Sequence, residues 1–311
     1  VAADAGARAW IVEHLGEAVF ERLASELRGS ELQSVLLEVM ARRAHARTPR
    51  ELVLQYGTDP FCEPAPSDQR TIHAVDGHLL LAASAFEAVE LSPVAPLGAS
   101  SAVALTDQKR VLSALRATEV VSDPTNVLAL ECARRLRSDP RRAVHLATSQ
   151  RVVRAQALPR PTPPGFKQHF RLFALASGGL EAKDHAFTVE SVVLHAQTLL
   201  RALDRLESDG YAFGARRIDV FATPERRVVA ERIVARLAPL ATLAALEHPY
   251  YSGGIRYQIW VTADEGALLP LADGGVFDWL AKLTSNRRAV YVASGIGSQL
   301  MPLRFRRREG A

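Results

Sequence analysis

The sequence predicts an α+β fold, a mainly antiparallel sheet flanked by helices and preceded by a small helical N-terminal segment. Three observations predict it. Short alternating apolar runs recur through residues 70–311 and read as half-buried strands. Helical apolar stripes interrupt them irregularly, so the strand–helix rhythm of a doubly wound sheet is missing. Residues 1–69 carry helical periodicity and close on a proline-rich stretch. That places a domain boundary near 69, with the main domain at 70–311.

In chain order, residues 6–47 read as two helices. Ala9, Ile11, Val12, Leu15, Val19, Phe20 and Leu23 recur at helical spacing, and Gly29-Ser30 breaks the pattern. Ser30 is the expected N-cap of a second helix over 31–44. Residues 57–69 are turn-rich. Val89-Glu90-Leu91 alternates as a short strand and stops at Ser92-Pro93. Pro124 starts a helix over 124–136. Residues 143–147 and 151–154 read as strands, 157–165 as a proline-rich loop, and 169–176 as a strand. A long amphipathic helix covers 187–206, with Val189, Val192, Val193, Ala196, Leu199, Leu200 and Leu203 on one side. Further strands fall at 218–221, 255–261 and 289–293, and a helix at 225–237.

Composition excludes several classes. The chain has 311 residues, 48% hydrophobic and 23% charged, which is globular and large enough for one large or two smaller domains. No apolar stretch approaches the roughly 20 residues of a membrane span. Val1-Ala2-Ala3-Asp4 does not open a secretory signal. Cys62 and Cys132 lack the spacing of a zinc site or a disulfide framework, and this usage fits the cytoplasm. The net charge of +4 is mildly basic and arginine-rich, with one dense cluster at Arg304–Arg308 that reads as a solvated tail. Gly178-Gly179 near Lys183 and Gly295-Ile296-Gly297 fall short of phosphate-binding glycine motifs. His185 and His195 are too far apart for a helical metal pair, and no GxSxG elbow is present.

The segments with most chemical content are Tyr250-Tyr251-Ser252-Gly253-Gly254-Ile255 and Gly274-Gly275-Val276-Phe277-Asp278-Trp279-Leu280. Each reads as a strand with tight glycine turns and adjacent aromatics. They resemble the Tyr-Tyr-Thr-Gly and Gly-Gly-Arg-Tyr-Asp segments walling the amino-acid pocket of histidyl-tRNA synthetase and its relatives. Other segments resemble the same class II synthetase family in the same order. Phe86–Pro93 is similar to motif 1, where a strand ends at proline in a dimer interface. Val121–Thr125 is similar to the turn before the helix leading to motif 2. Arg151–Gln156 resembles the first motif 2 strand, with Arg154 at the arginine that grips the ATP α-phosphate. Gly165–Phe170 resembles the returning strand, and Ala289–Gly297 motif 3. The resemblance spans roughly residues 72–303.

The residue types suit such a site. A fixed arginine, Arg154, stabilises negative charge on a phosphate under attack. Asp123 offers a carboxylate to an ammonium group. Tyr250 and Tyr251 offer an apolar face and hydroxyls to a flat side chain. Gly253, Gly274 and Gly275 let the backbone approach a ligand. The departures are equally specific. Leu300 stands where the motif 3 arginine belongs, Gln156 where a glutamate belongs, Val276 where an arginine belongs, and Phe166 or Lys167 at the returning-strand arginine. Missing cations of this kind cost several kcal/mol each in a transition state, which argues against ATP activation.

The resemblance therefore implies a largely non-catalytic protein. It is similar to the regulatory subunit of ATP phosphoribosyltransferase, in which a retained pocket senses histidine and a separate catalytic subunit does the chemistry. Asp123, Thr125, Arg154, Gln156, Tyr250, Tyr251, Gly253, Gly274, Gly275 and Phe277 would form the ligand pocket, with no catalytic residue and no metal. A homodimer through the motif 1 region and a phosphoribosyltransferase partner are implied, while tRNA and ATP are not expected ligands. Two other readings remain open. One is a stand-alone amino-acid or acyl ligase forming an adenylate. The other is a dimeric scaffold whose pocket is filled by Phe166, Phe277 and Trp279.

Overall fold

The computed structural model describes residues 2–158, 162, 166–262, 266 and 268–307, and every absence stated below concerns these residues. Most of the proline-rich loop expected at 157–165, including Gly165, lies outside them, as does Arg308.

Where two helices were expected over 6–47, three α-helices form, α1 (Ala2–Leu15), α2 (Glu17–Glu21) and α3 (Gly29–His45), with a π-helical turn at Arg22–Glu26 after α2; a further helix, α4 (Pro49–Thr58), follows. Gly29 and Ser30 are already helical, and Arg28 is the N-cap, its amide donating to Glu31 at 3.0 Å. Helix α4 starts in a capping box. The Glu51 amide donates to Thr48 Oγ1 at 3.3 Å, and the Thr48 amide to the Glu51 carboxylate at 2.8 Å. None of α2, α3 or α4 buries a residue. Helix α5 (Gln69–Ala82) is different. It is capped by Asp68 and sinks Ile72, Val75 and Leu79 toward the sheet.

The main sheet has the order β1 (Glu87–Ala88), β5 (Val144–Val153), β6 (His169–Leu180), β11 (Ala289–Ile296), β10 (Leu268–Phe277), β9 (Ile255–Thr262), β7 (Arg216–Ala222), β8 (Ala241–Ala245). It is a mixed sheet, which corrects the expectation of a mainly antiparallel one. The inner pairings are antiparallel, but β1–β5 and β7–β8 at the two edges are parallel. At the β8 edge the cause is the crossover helix α8 (Arg227–Leu237), because a strand–helix–strand connection returns its second strand parallel to the first. A small second sheet joins β2 (Val94–Pro96), β4 (Thr118–Val120) and β3 (Ser113–Ala114). The strand expected at Val89–Leu91 is shifted to Glu87–Ala88, with the Val89 amide still donating to Ala147 O at 2.9 Å.

Side chains alternate across β5, so the sheet divides two apolar layers. On one face, α5, α8 and α7 (Ala186–Glu207) cover Ala147, Phe173, Leu175, Val220, Tyr257 and Val292. On the other, α6 (Pro124–Ser138) and α9 (Trp279–Thr284) cover Leu146, Ala176, Phe277 and Tyr291. Cys132 of α6 lies against Gly178, and burial pushes its thiol up to about 12. A short helix α10 (Leu300–Arg304) follows β11.

Glu119 of β4 fixes a loop that will rim the site. It is 1% exposed and accepts from the amides of Gly98 and Ser100, both at 2.8 Å, and from Gln108 Nε2 at 2.9 Å. Glu119→Gln turns an amide nitrogen toward one of these donors. It should cost about 1–3 kcal/mol in denaturant unfolding; unchanged stability would show that the loop is not held this way.

Candidate functional site

A cavity of about 550 Å³ opens on the α6 face of the sheet. Its floor is β10 and β11 at Gly274 and Ala293–Gly295, and its walls are the start of α6, the end of β5 and the turn before β9. Asp123, Thr125, Arg154, Gln156, Tyr250, Tyr251, Gly274 and Phe277 all line it. Residues expected from four separate segments therefore converge. Gly253 and Gly275 stand behind the wall. A Cβ on Gly253 would meet the carbonyl carbon of Val276 at 2.6 Å, and one on Gly275 would meet Tyr251 Cδ1 at 2.5 Å.

The two aromatic–glycine segments are built differently from the expected strands with glycine turns. Residues 249–254 are a turn, with Gly254 at φ 78°, and the strand starts at Ile255. Gly274 and Gly275 sit inside β10, paired to Tyr257 and Arg256 on one side and to Ser294 and Ala293 on the other. They are glycine because neighbouring side chains fill the space a Cβ needs. A Cβ on Gly274 would lie 2.7 Å from Tyr257 Cε1.

Arg154 and Asp123 are not independent ligand groups. Arg154 Nη2 lies 3.3 Å from Asp123 Oδ2, and its Nε donates to Ser122 O at 3.0 Å. Asp123 also caps α6, accepting from the Thr125 amide at 2.9 Å and from Thr125 Oγ1 at 2.8 Å. The Arg154 guanidinium rests 5.1 Å from the Phe170 ring centroid. A second pair, unread in the sequence, lies behind Tyr251. Asp273 accepts from Tyr251 Oη at 2.6 Å and from Arg256 Nη2 at 2.5 Å, with Arg256 5.0 Å over the Tyr251 ring. Burial raises the Tyr250 hydroxyl pKa, and Asp123 adds to it; burial raises Tyr251, with Asp273 adding. Both are therefore neutral hydroxyls at physiological pH.

Two lining groups remain unmatched. Arg110, from the loop held by Glu119, has no side-chain partner among the described residues. Asn126 is 2% exposed and gives Nδ2 to Ser100 Oγ at 3.4 Å, leaving Oδ1 without a partner. The cavity thus presents a free cation, a free acceptor and two carboxylates already paired with arginines. Arg256 pairs in register with Gly275 while Asp273 pairs with Gln258, so their contact is diagonal across two strands and no local pattern marks it. Arg110 sits in a loop without periodicity, and nothing in the sequence marked it.

The aromatic rings do not fill this space. Phe277 stacks on Trp279 with centroids 4.1 Å apart, both joining the core under α6. Phe166 is 43% exposed and lines a separate cavity of about 130 Å³ with Leu158, Phe170 and Leu300. Arg154, Lys167 and Arg171 also line that cavity, Arg154 paired to Asp123 and Arg171 to Asp76. Lys167 is paired to Glu63, and Arg110 does not line this cavity.

Beneath the floor, on the α7 face, runs a buried hydrogen-bonded chain. Tyr257 Oη meets Ser294 Oγ at 2.6 Å, Ser294 Oγ meets His195 Nδ1 at 2.8 Å, His195 Nε2 meets Ser177 Oγ at 2.8 Å, and Ser177 Oγ meets His145 Nδ1 at 2.7 Å. Its direction is determined by Tyr257, whose hydroxyl has Ser294 as its one partner and must donate to it. Ser294 then donates to His195 Nδ1, His195 Nε2–H to Ser177, and Ser177 to His145. His195 is therefore a neutral structural histidine, in line with the sequence reading of a hydrogen-bonded residue.

Several solved structures share this fold. An ATP phosphoribosyltransferase regulatory subunit/histidyl-tRNA synthetase from Bacillus halodurans superposes with a TM-score of 0.55 at 11% identity, over 76% of this chain and 81% of that one. Histidyl-tRNA synthetase from S. aureus gives 0.55 at 12% identity, over 79% and 68%. A threonyl-tRNA synthetase structure from Cryptosporidium parvum gives 0.59 at 11% identity, over 78% and 64%. No protein-family model and no curated protein matches the chain by sequence. The chain has the class II aminoacyl-tRNA synthetase-like fold.

Proposed function

We propose that the chain is a non-catalytic, histidine-sensing protein, regulatory to a phosphoribosyltransferase and dimeric through the β1 region. The observation that carries this reading is the open cavity beside Tyr250 and Tyr251, with one free cation and one free acceptor. Arg110 suits the ligand carboxylate, the Asp123 carboxylate its ammonium group, and Asn126 Oδ1 an imidazole N–H held near the tyrosines. The cations near Leu300 are already engaged, Arg154 with Asp123, Lys167 with Glu63 and Arg171 with Asp76, which opposes triphosphate binding. Histidine would regulate only by binding one assembly state more tightly than another.

The adenylate-forming ligase is the second reading, favoured by the presence of Arg154 in the cavity. Titration calorimetry with free amino acids decides between them. Histidine is expected to bind saturably and more tightly than other amino acids, and Arg110→Gln to weaken it about tenfold. No heat with histidine at millimolar concentration overturns the sensing proposal. Pyrophosphate exchange with any acid in a panel would favour the ligase.

A further inference from the structure

We propose a second ligand site, specific for a phosphate group, on the opposite face of the sheet. A cavity of about 550 Å³ lies there between β5, β6, the start of α5 and the 61–67 segment. Arg151 and Val153 of β5 line this cavity, while Val152 between them points to the other face and packs with Val121 and Leu172.

Two arginines face each other in this cavity. Arg151 and Arg171 are direct cross-strand partners, an arrangement that is repulsive unless something negative lies between them. Arg151 has no carboxylate partner among the described residues. Its Nη2 donates to His169 Nδ1 at 2.7 Å, and His169 passes its Nε2–H to Glu63 O at 2.7 Å. The imidazole is therefore neutral and leaves the charge on Arg151 unmatched. Arg171 has one carboxylate, Asp76, at 3.5 Å. Lys167 and Glu63 cancel each other at the rim. The balance of these groups is positive.

Gln299 supplies an independent observation. It is 1% exposed and lines the cavity, and neither its Oε1 nor its Nε2 has a hydrogen-bond partner. Ser67 Oγ, also lining, is likewise unpartnered. A buried primary amide without partners costs free energy that a bound acceptor recovers. Arg151 has one Nη on His169 and Arg171 one Nη on Ser149 O at 3.3 Å, and their remaining guanidinium N–H groups, an amide N–H and a hydroxyl form a three-dimensional set of donors. Such a set suits the tetrahedral oxygens of a phosphate better than a planar carboxylate, which one fork satisfies.

The test is calorimetry of the full chain with inorganic phosphate and with malonate, at constant ionic strength and pH 7.5. Phosphate is expected to bind saturably, one per chain, and more tightly than malonate. Arg151→Gln and Gln299→Leu should each weaken it about tenfold, Arg151→Lys should fall between, and Arg110→Gln in the first cavity should leave it unchanged. Melting curves confirm that each variant is folded. The proposal is overturned by the absence of saturable heat up to ~10 mM phosphate, by malonate binding equally well, or by a loss seen with Arg110→Gln and not with Arg151→Gln. Because the first cavity is not involved, failure here leaves the histidine proposal standing, and the reverse also holds.

Discussion

Gly275→Ala should destabilise the protein by about 2–3 kcal/mol and distort the wall of the proposed ligand cavity. Gly275 lies inside β10, between β9 and β11, paired to Arg256 and Ala293. The added methyl meets the carbonyl oxygen of Ile255 and the Tyr251 ring, with Cδ1 at 2.5 Å and Cε1 at 3.0 Å. Ile255 cannot retreat without breaking the start of the β9 ladder. Tyr251 is tied through its hydroxyl to Asp273 at 2.6 Å and is covered by Arg256. Any relief therefore moves the strand or dismantles the cavity wall. Gly77→Ala is the matched control. It lies within α5 with nothing inside 4 Å of the added Cβ, and it should stabilise by about 0.5–1 kcal/mol. Guanidinium denaturation of the two variants beside the wild type reads both effects. Equal stabilities would mean that the glycine is not required by packing.

This pair of variants also marks what the sequence made legible. The value of glycine at 274 and 275 was visible, but its reason was misread as turn formation, because the filling groups, Tyr251, Tyr257 and Ser294, arrive from a turn and from other strands. Helices α6 and α7 were readable because each turns its apolar stripe to its own layer of the core. Residues 148–150 looked like a gap between two strands. Thr148, Ser149 and Gln150 are ordinary ladder members of a single strand, pairing with Ala174, Phe173 and Leu172. Strand β8 escaped because an exposed edge strand of Ala-Thr-Leu-Ala-Ala needs no alternation. At the site, the lining role of Asp123, Arg154 and the tyrosines was readable from their local motifs. That Arg154 and Asp123 occupy each other, and that Arg110 enters from a loop, are tertiary facts that residue type and spacing do not encode.

Between pH 7.5 and pH 5 the protein should lose about 2 kcal/mol of stability through His195. Its imidazole lies at the centre of the core, fully buried, and burial lowers its pKa from the ordinary 6.5 to about 3, with His145 adding a smaller push in the same direction. Protonation would also forbid the hydrogen bond that Ser294 donates to Nδ1. The sign follows from proton counting. Below 6.5 the unfolded histidine takes up a proton and the folded one does not, so stability is complete above that pH and falls as pH drops toward 3. At pH 5 the loss depends only on the folded value lying well below 5. His145, lowered by its own burial, adds a further loss of the same sign. His195→Gln keeps one donor and one acceptor without a titrating group. It should be less stable than wild type at pH 7.5, yet show a flatter fall on acidification, with the remainder due to His145. Denaturant titrations of both proteins at the two pH values provide the measurement. A wild-type protein equally stable at both, or a variant keeping the whole slope, would show that the imidazole is not buried neutral in the core.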